Sequence, residues 1–209
     1  MNNLDSLLQY YEDQINVDNY YKAIERQKKC FSFEKLDRAC IEVNFPFRMF
    51  KGYSMQDIHD DMSKMMFNEL LSCHSFIEID NNAFPMIRAN YGVGTLPSDF
   101  GLVSKIVNGN MPWVEHVDKD EVKRIIDRGV PDYSKGFGQK VLDTYEFYRE
   151  KLSAYPKCNE VIKLFHPDFQ GPFDVAHLIY GPDIYMEMYD DPDTVHALLS
   201  VVTDTYISI

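Results

Sequence analysis

One stretch limits the folds open to this chain more than any other: residues 161–209, VIKLFHPDFQGPFDVAHLIYGPDIYMEMYDDPDTVHALLSVVTDTYISI. Its apolar start, residues 161–165, is too short for a helix and predicts a buried strand. The elbow His166-Pro167-Asp168-Phe169-Gln170-Gly171 sets polar groups where that strand ends. Pro172 suits the first position of a following helix, where its missing N–H would have no partner anyway. A second amphipathic helix follows, with Asp191 as cap, Pro192 in the first position and Val195, Leu198, Leu199, Val202 and Tyr206 as its apolar stripe. Ligands of α/β folds collect at the carboxyl ends of strands, so His166, Asp168 and Gln170 are candidate site residues.

Upstream, residues 1–29 read as helix, with Leu4, Leu7, Leu8 and Tyr11 on one face and Tyr20, Tyr21, Ile24 and Gln27 as a second set. The alternation of Ile41, Val43 and Phe45 predicts a first strand over 37–47. Ser54 is placed to cap a helix over 55–72 striped by Ile58, Met62, Met65, Met66 and Leu70. Residues 84–89 (FPMIRA) predict a second strand, and 90–101 (NYGVGTLPSDFG) a loop long enough to carry function. A further short strand is expected over 102–107, then a turn at Asn108-Gly109. Asp118 opens a short helix with Val122, Ile125 and Ile126 inward and Gly129 as its stop. The helix expected over 136–155 carries Val141, Leu142, Tyr145, Tyr148 and Leu152 and ends at Pro156. Strands separated by helices, without hairpin pairs, predict parallel βα units, about three or four of them.

Composition narrows the function classes. A net charge of −12 argues against a nucleic-acid surface, which needs clustered Lys and Arg. The four cysteines, Cys30, Cys40, Cys73 and Cys158, form no C-x-x-C and read as reduced thiols of a cytoplasmic protein. The first residues lack the basic start and apolar core of a signal peptide. No apolar run approaches the roughly 20 residues that span a bilayer.

Among the histidines, His59, His74, His116, His177 and His196 show no metal-ligand spacing, and Cys73-His74 lacks companions. Gly92-Val93-Gly94 and Gly136-Phe137-Gly138 are lone G-x-G pairs, insufficient for a dinucleotide site. No nucleophile elbow, S-x-x-K or phosphate loop is present. Arg88, Asn90 and Tyr91, just past the second strand, could hold a carboxylate through a two-pronged arginine contact, or Arg88 could pair with a structural acid. Asp168 could serve as general acid or charge stabiliser.

Three segments carry a family resemblance: Gly171-Pro172-Phe173-Asp174-Val175-Ala176, then Gly181-Pro182-Asp183, then Tyr189-Asp190-Asp191-Pro192-Asp193-Thr194-Val195-His196-Ala197-Leu198-Leu199. Together they resemble the uroporphyrinogen decarboxylase superfamily, which includes corrinoid- and cobalamin-dependent methyltransferases. The resemblance implies a (β/α)₈ barrel, with residues 1–36 as a helical extension and 37–209 as the N-terminal part of the barrel. A complete barrel takes about 250 residues. The helical pattern still running at Tyr206 to Ile209 fits a chain holding only the first units. The resemblance implies a tetrapyrrole or corrinoid-linked substrate, with Arg88 and Asp168 catalytic and Arg48, Asn90, Tyr91, His166 and Gln170 binding it. The classical decarboxylase motifs are incomplete: Asn44-Phe45-Pro46-Phe47-Arg48-Met49 stands at the first strand end, and no aspartate falls at the second. The methyltransferases' zinc ligands belong to the second half of the barrel, so this chain is expected to hold no cofactor unless such a half supplies them. An alternative expectation is a catalytically inactive half-barrel that acts only by assembly, its open edges favouring a homodimer.

Overall fold

A computed structural model describes residues 3–45 and 47–209; Met1, Asn2 and Pro46, which belong to the expected first helix and first strand, lie outside them. Helix α1 (Leu4–Gln14) turns Leu4, Leu7, Leu8 and Tyr11 inward, as their spacing predicts. It does not run on. Asn16 caps a second helix, α2 (Val17–Phe31), by accepting the Asn19 amide, so two helices carry the helical pattern of 1–29. Tyr20, Ala23 and Arg26 form the buried face of α2, while Tyr21 is exposed.

No strand forms among the described residues of 37–47, which corrects the first-strand expectation. Two asparagines take the place of a strand partner there. Asn82 donates its amide to the Ile41 carbonyl at 3.0 Å, and its side-chain oxygen accepts the Ile41 amide at 3.4 Å. Asn81 donates from Nδ2 to the Val43 carbonyl at 2.9 Å. Ile41 and Val43 are left exposed, so the alternation buries neither of them.

Ser54 caps α3 (Met55–Asp60) as expected, but Asp61 interrupts and caps α4 (Met62–Leu71) through the Ser63 and Lys64 amides. Ile58, Met65, Met66 and Leu70 of the apolar stripe are buried, joined by Phe67. Next come α5 (His74–Glu78) and β1 (Met86–Ile87). The presumed loop over 90–101 contains a short helix, α6 (Thr95–Asp99). Then β2 (Ser104–Lys105) and β3 (Trp113–Val114) pair antiparallel, Ser104 opposite Val114. This hairpin corrects the expectation of parallel units alone. Its turn is the Asn108-Gly109 signal, with positive φ at both residues (53° and 72°) and an Asn110 amide bonded to the Val107 carbonyl at 3.1 Å.

Asp118 caps α7 (Lys119–Arg128) through the Glu121 amide at 2.8 Å. Helix α8 (Phe137–Ser153) is followed by α9 (Pro156–Val161), so Pro156 opens a helix as well as closing one. The Glu12 carboxylate accepts the first free amides of α9, those of Lys157 at 2.9 Å and Cys158 at 3.0 Å. The chain ends with β4 (Lys163–Leu164), α10 (Pro172–Tyr180), α11 (Ile184–Asp190) and α12 (Pro192–Ser208). Pro172 and Pro192 occupy first positions, and Asp191 caps α12 through Thr194, as the sequence predicts.

The fold is mixed α/β with helices predominating. Its described strands form two two-stranded sheets, and neither sheet closes. Two compact units result: residues 1–89 with 144–165, and residues 90–143 with 166–209. In the first, α1 packs on α4 and α9, and the Tyr11 hydroxyl donates to the Leu70 carbonyl at 2.8 Å. In the second, Val175, Ala176 and Ile179 of α10 meet Val195, Leu198 and Val202 of α12 in a core shared with Val122, Ile125 and Leu96. Lys119 ties that unit's surface together, reaching Glu187 at 2.6 Å and Asp191 at 3.0 Å.

Gly129 ends α7 with φ 70° and ψ −151°, a conformation essentially confined to glycine, and open space surrounds the position of an added Cβ. Gly129→Ala therefore changes backbone strain alone. It is expected to destabilise the protein by about 1–3 kcal/mol in urea unfolding; an unchanged midpoint would contradict this assignment.

Candidate functional site

In the first unit, β1 and β4 pair in parallel, Met86 opposite Lys163 and Ile87 opposite Leu164. The Lys163 amide donates to the Pro85 carbonyl and the Phe165 amide to the Ile87 carbonyl, both at 2.9 Å. The two strands chosen from the sequence thus end side by side, and the candidate residues follow each in the chain. So short a ladder satisfies few backbone groups, and side chains complete it. The Tyr145 hydroxyl donates to the Phe165 carbonyl and accepts the Ala89 amide at 3.4 Å. The Tyr148 hydroxyl donates to the Arg88 carbonyl at 3.4 Å, and Glu69 Oε2 accepts the Arg88 amide at 3.1 Å. Burial raises the Tyr145 phenol above its usual range, with nearby Glu69 adding to this and Arg88 opposing it. Tyr145 is accordingly a neutral donor at neutral pH. Arg88 is half-buried at this strand end. Arg48 is exposed and lines a depression with Phe45, Phe47, Met49 and Glu78, to which neither strand contributes.

The other candidates belong to the second unit. Tyr91 is fully buried, its ring centroid 5.5 Å from that of Phe137 with the Lys140 ammonium 4.5 Å above it, a cation–π contact. Asn90 beside it is half-buried. At the elbow, His166 is exposed and its Nδ1 lies 2.8 Å from the Pro167 carbonyl. Gln170 donates from Nε2 to Asp168 Oδ1, which brings these two together. Gln170 itself has φ 60°, and the Tyr206 hydroxyl donates to the Phe169 and Gln170 carbonyls. That hydroxyl is pushed up to about 12, by burial first and then by the charges of Asp174 and Asp168.

One acidic residue escaped the sequence pattern. Asp99, at the end of α6, is only 7% exposed, and its Oδ1 accepts the Gly138 amide at 3.3 Å. Burial pushes its carboxyl up to about 6; the Gly138 bond opposes this and Asp132 adds to it. Asp99 lines an open cleft of about 570 Å³ with Arg128, Asp132 and Lys135. It also lines a smaller, more apolar cavity of about 190 Å³ with Tyr133, Val141, Leu142 and Phe169. A carboxyl that ionises near neutrality can either give or take a proton there. The available signal was Gly136-Phe137-Gly138. A Cβ at Gly136 would lie 2.2 Å from Asp99 Oδ1, and one at Gly138 would lie 2.4 Å from the Tyr133 carbonyl. These glycines permit close approach to a carboxyl and a backbone carbonyl, not to a dinucleotide.

Among the described residues, no group of three His, Cys, Asp or Glu side chains is arranged to hold a metal ion. No helix among them is long and apolar enough to cross a membrane. Comparisons with protein-family models, with curated proteins and with solved structures find no match to this chain.

Asp99 gives the second unit a specific pH dependence. Its folded pKa, about 6, lies above the unfolded value of about 4. The stabilisation from its proton is full below about pH 4 and is lost as pH rises through about 6. Asp99→Asn keeps an acceptor for Gly138 and removes the charge. The variant is expected to be more stable than wild type at about pH 7.5 and to match it at about pH 4. A stability difference that stays constant with pH would show that Asp99 is not the titrating group.

Proposed function

We propose that this chain is a uroporphyrinogen decarboxylase-like protein, holding the first three or four βα units of a (β/α)₈ barrel. In this reading it acts in tetrapyrrole decarboxylation or corrinoid-linked methyl transfer. The observation that carries the proposal is the parallel pairing of β1 with β4. These are the two strands whose carboxyl ends precede the candidate polar residues, and ligands of such folds gather at those ends. The resemblance of 171–199 to the superfamily supplies the substrate class. Arg88 would pair with a substrate carboxylate through two charge-assisted hydrogen bonds. Asp168, oriented by Gln170, would give a proton or stabilise charge. Asn90 and His166 would contribute to substrate binding, whereas Tyr91 is buried and Arg48 lines a depression to which neither strand contributes. Zinc would enter only with ligands supplied from outside this chain.

The test is an absorbance titration of the protein with uroporphyrin and, separately, with a cobalamin. Saturable binding of one of them is expected. Arg88→Ala should weaken uroporphyrin binding by roughly 10- to 150-fold, the loss of one charged hydrogen-bonding contact of about 1.5–3 kcal/mol. Failure to bind either compound would sink the proposal.

A second reading, in which the chain has no catalysis of its own and acts through assembly with another copy, is favoured by α11. This short helix exposes Tyr185, Met186, Met188 and Tyr189, and exposed apolar side chains gathered in one place mark an interaction surface. Sedimentation equilibrium is then expected to give a mass that rises with concentration, and Met186→Lys with Tyr189→Lys should suppress the rise. A monomer at all concentrations would exclude this reading.

A further inference from the structure

Two of the four cysteines, distant by sequence pattern from any known motif, are brought together in the first unit. Cys30 is exposed on the last turn of α2, and Cys40 is half-buried in the segment that returns along it. The path between them is tied at several points. The Ser32 amide donates to the Lys28 carbonyl at 3.0 Å, Phe33 to Cys30 at 3.1 Å and Glu34 to Lys29 at 2.9 Å, with Phe33 at φ 56° reversing the chain. Asp37 then accepts both prongs of the Arg26 guanidinium, Nε and Nη2, each at 2.9 Å. The result places Cys40 Sγ 3.7 Å from the Arg26 carbonyl. Helical pairing gives that same carbonyl to the amide four residues on, which is Cys30. The sulfur of one cysteine and the backbone of the other therefore share a single oxygen. Both residues also line one small surface pocket, with Gln27, Phe31, Glu42 and Asn82.

We propose that Cys30 and Cys40 are a modification site, a dithiol that closes reversibly to a disulfide when it meets a low-molecular-weight disulfide. Exposure decides the order of events. The Cys30 thiolate attacks one sulfur of the small disulfide, whose S–S bond breaks and whose other half leaves as a thiolate that takes up a proton. The Cys40 thiolate then attacks the Cys30 sulfur of the mixed disulfide and expels the second small thiol. Two protein thiols lose two protons and two electrons, and the small disulfide is reduced to two thiols. The Cys40 thiol is raised first by burial and then by the neighbouring Cys30 thiol, so it forms a thiolate less readily and leaves the first attack to the exposed Cys30. Cys73 and Cys158 are buried, and burial drives both thiols up, Cys73 to about 12. They are not expected to compete. The closed form would fasten residues 40–43, of which Ile41 and Val43 bond to Asn82 and Asn81, covalently to α2.

The experiment exposes the folded full chain to oxidised glutathione, blocks remaining thiols with an alkylating reagent, and reads intact mass and non-reducing peptide maps. Expected is the loss of two of the four titratable thiols, a mass lower by two hydrogens before alkylation, and a Cys30–Cys40 cross-linked peptide that dithiothreitol releases. Cys40→Ser should instead accumulate a single glutathione adduct on Cys30, because the resolving thiol is gone. The proposal is overturned if wild type carries a stable adduct on Cys30 without the cross-link, if the cross-link joins another pair or another chain, or if neither thiol reacts. Circular dichroism of Cys40→Ser, matched to wild type, separates a missing resolving thiol from a misfolded variant.

Discussion

Very short strands leave most of their peptide groups without a ladder partner, and a buried peptide group without a partner costs about 1–3 kcal/mol. Side chains that bond to backbone meet this constraint at each junction of the fold. Tyr145, Tyr148 and Glu69 finish the ends of β1 and β4. Asn81 and Asn82 hold residues 41–43 where a strand was expected. Glu12 caps α9 from α1, and Tyr206 holds the elbow at Phe169 and Gln170. These polar side chains serve the backbone, and none of them is a site residue expected from the sequence.

Asp99 differs because burial, and not a bonding partner, sets its behaviour. One amide from Gly138 does not offset the loss of water around the carboxylate, so the proton is retained to about pH 6. The arrangement depends on Gly136, where any side chain would collide with the carboxyl. A pair of glycines too sparse for a nucleotide fingerprint thus points to a buried acid that holds its proton unusually well. The two cavities that Asp99 lines share a group able to move a proton near neutrality.

Legibility followed the range of the interactions. Caps were readable because each is decided within about four residues: Ser54, Asp118 and Asp191 cap helices, and Pro172 and Pro192 open them. The Asn108-Gly109 turn was readable, but not the pairing of β2 with β3, which depends on residues up to ten positions apart. Asp61 divided the helix expected over 55–72 because its side chain bonded to amides just ahead of it. The alternation over 37–47 misled, since Asn81 and Asn82 supply bonds that no period-two pattern records. Of the candidate site, strands at β1 and β4 and the polar residues after them were legible, whereas the Asp168–Gln170 contact, the burial of Tyr91 under Lys140 and the shift at Asp99 were not.

The sequence by itself determined the caps at Ser54, Asp118 and Asp191 and which faces of α1, α4 and α12 are apolar. These are properties of neighbours three or four residues apart. Only the tertiary structure decided that β1 pairs with β4, that Asp99 is desolvated against Gly138, and that Cys40 returns to the turn bearing Cys30. Each of these joins residues from ten to nearly eighty positions apart, and burial and proximity at that range arise only after the chain has packed.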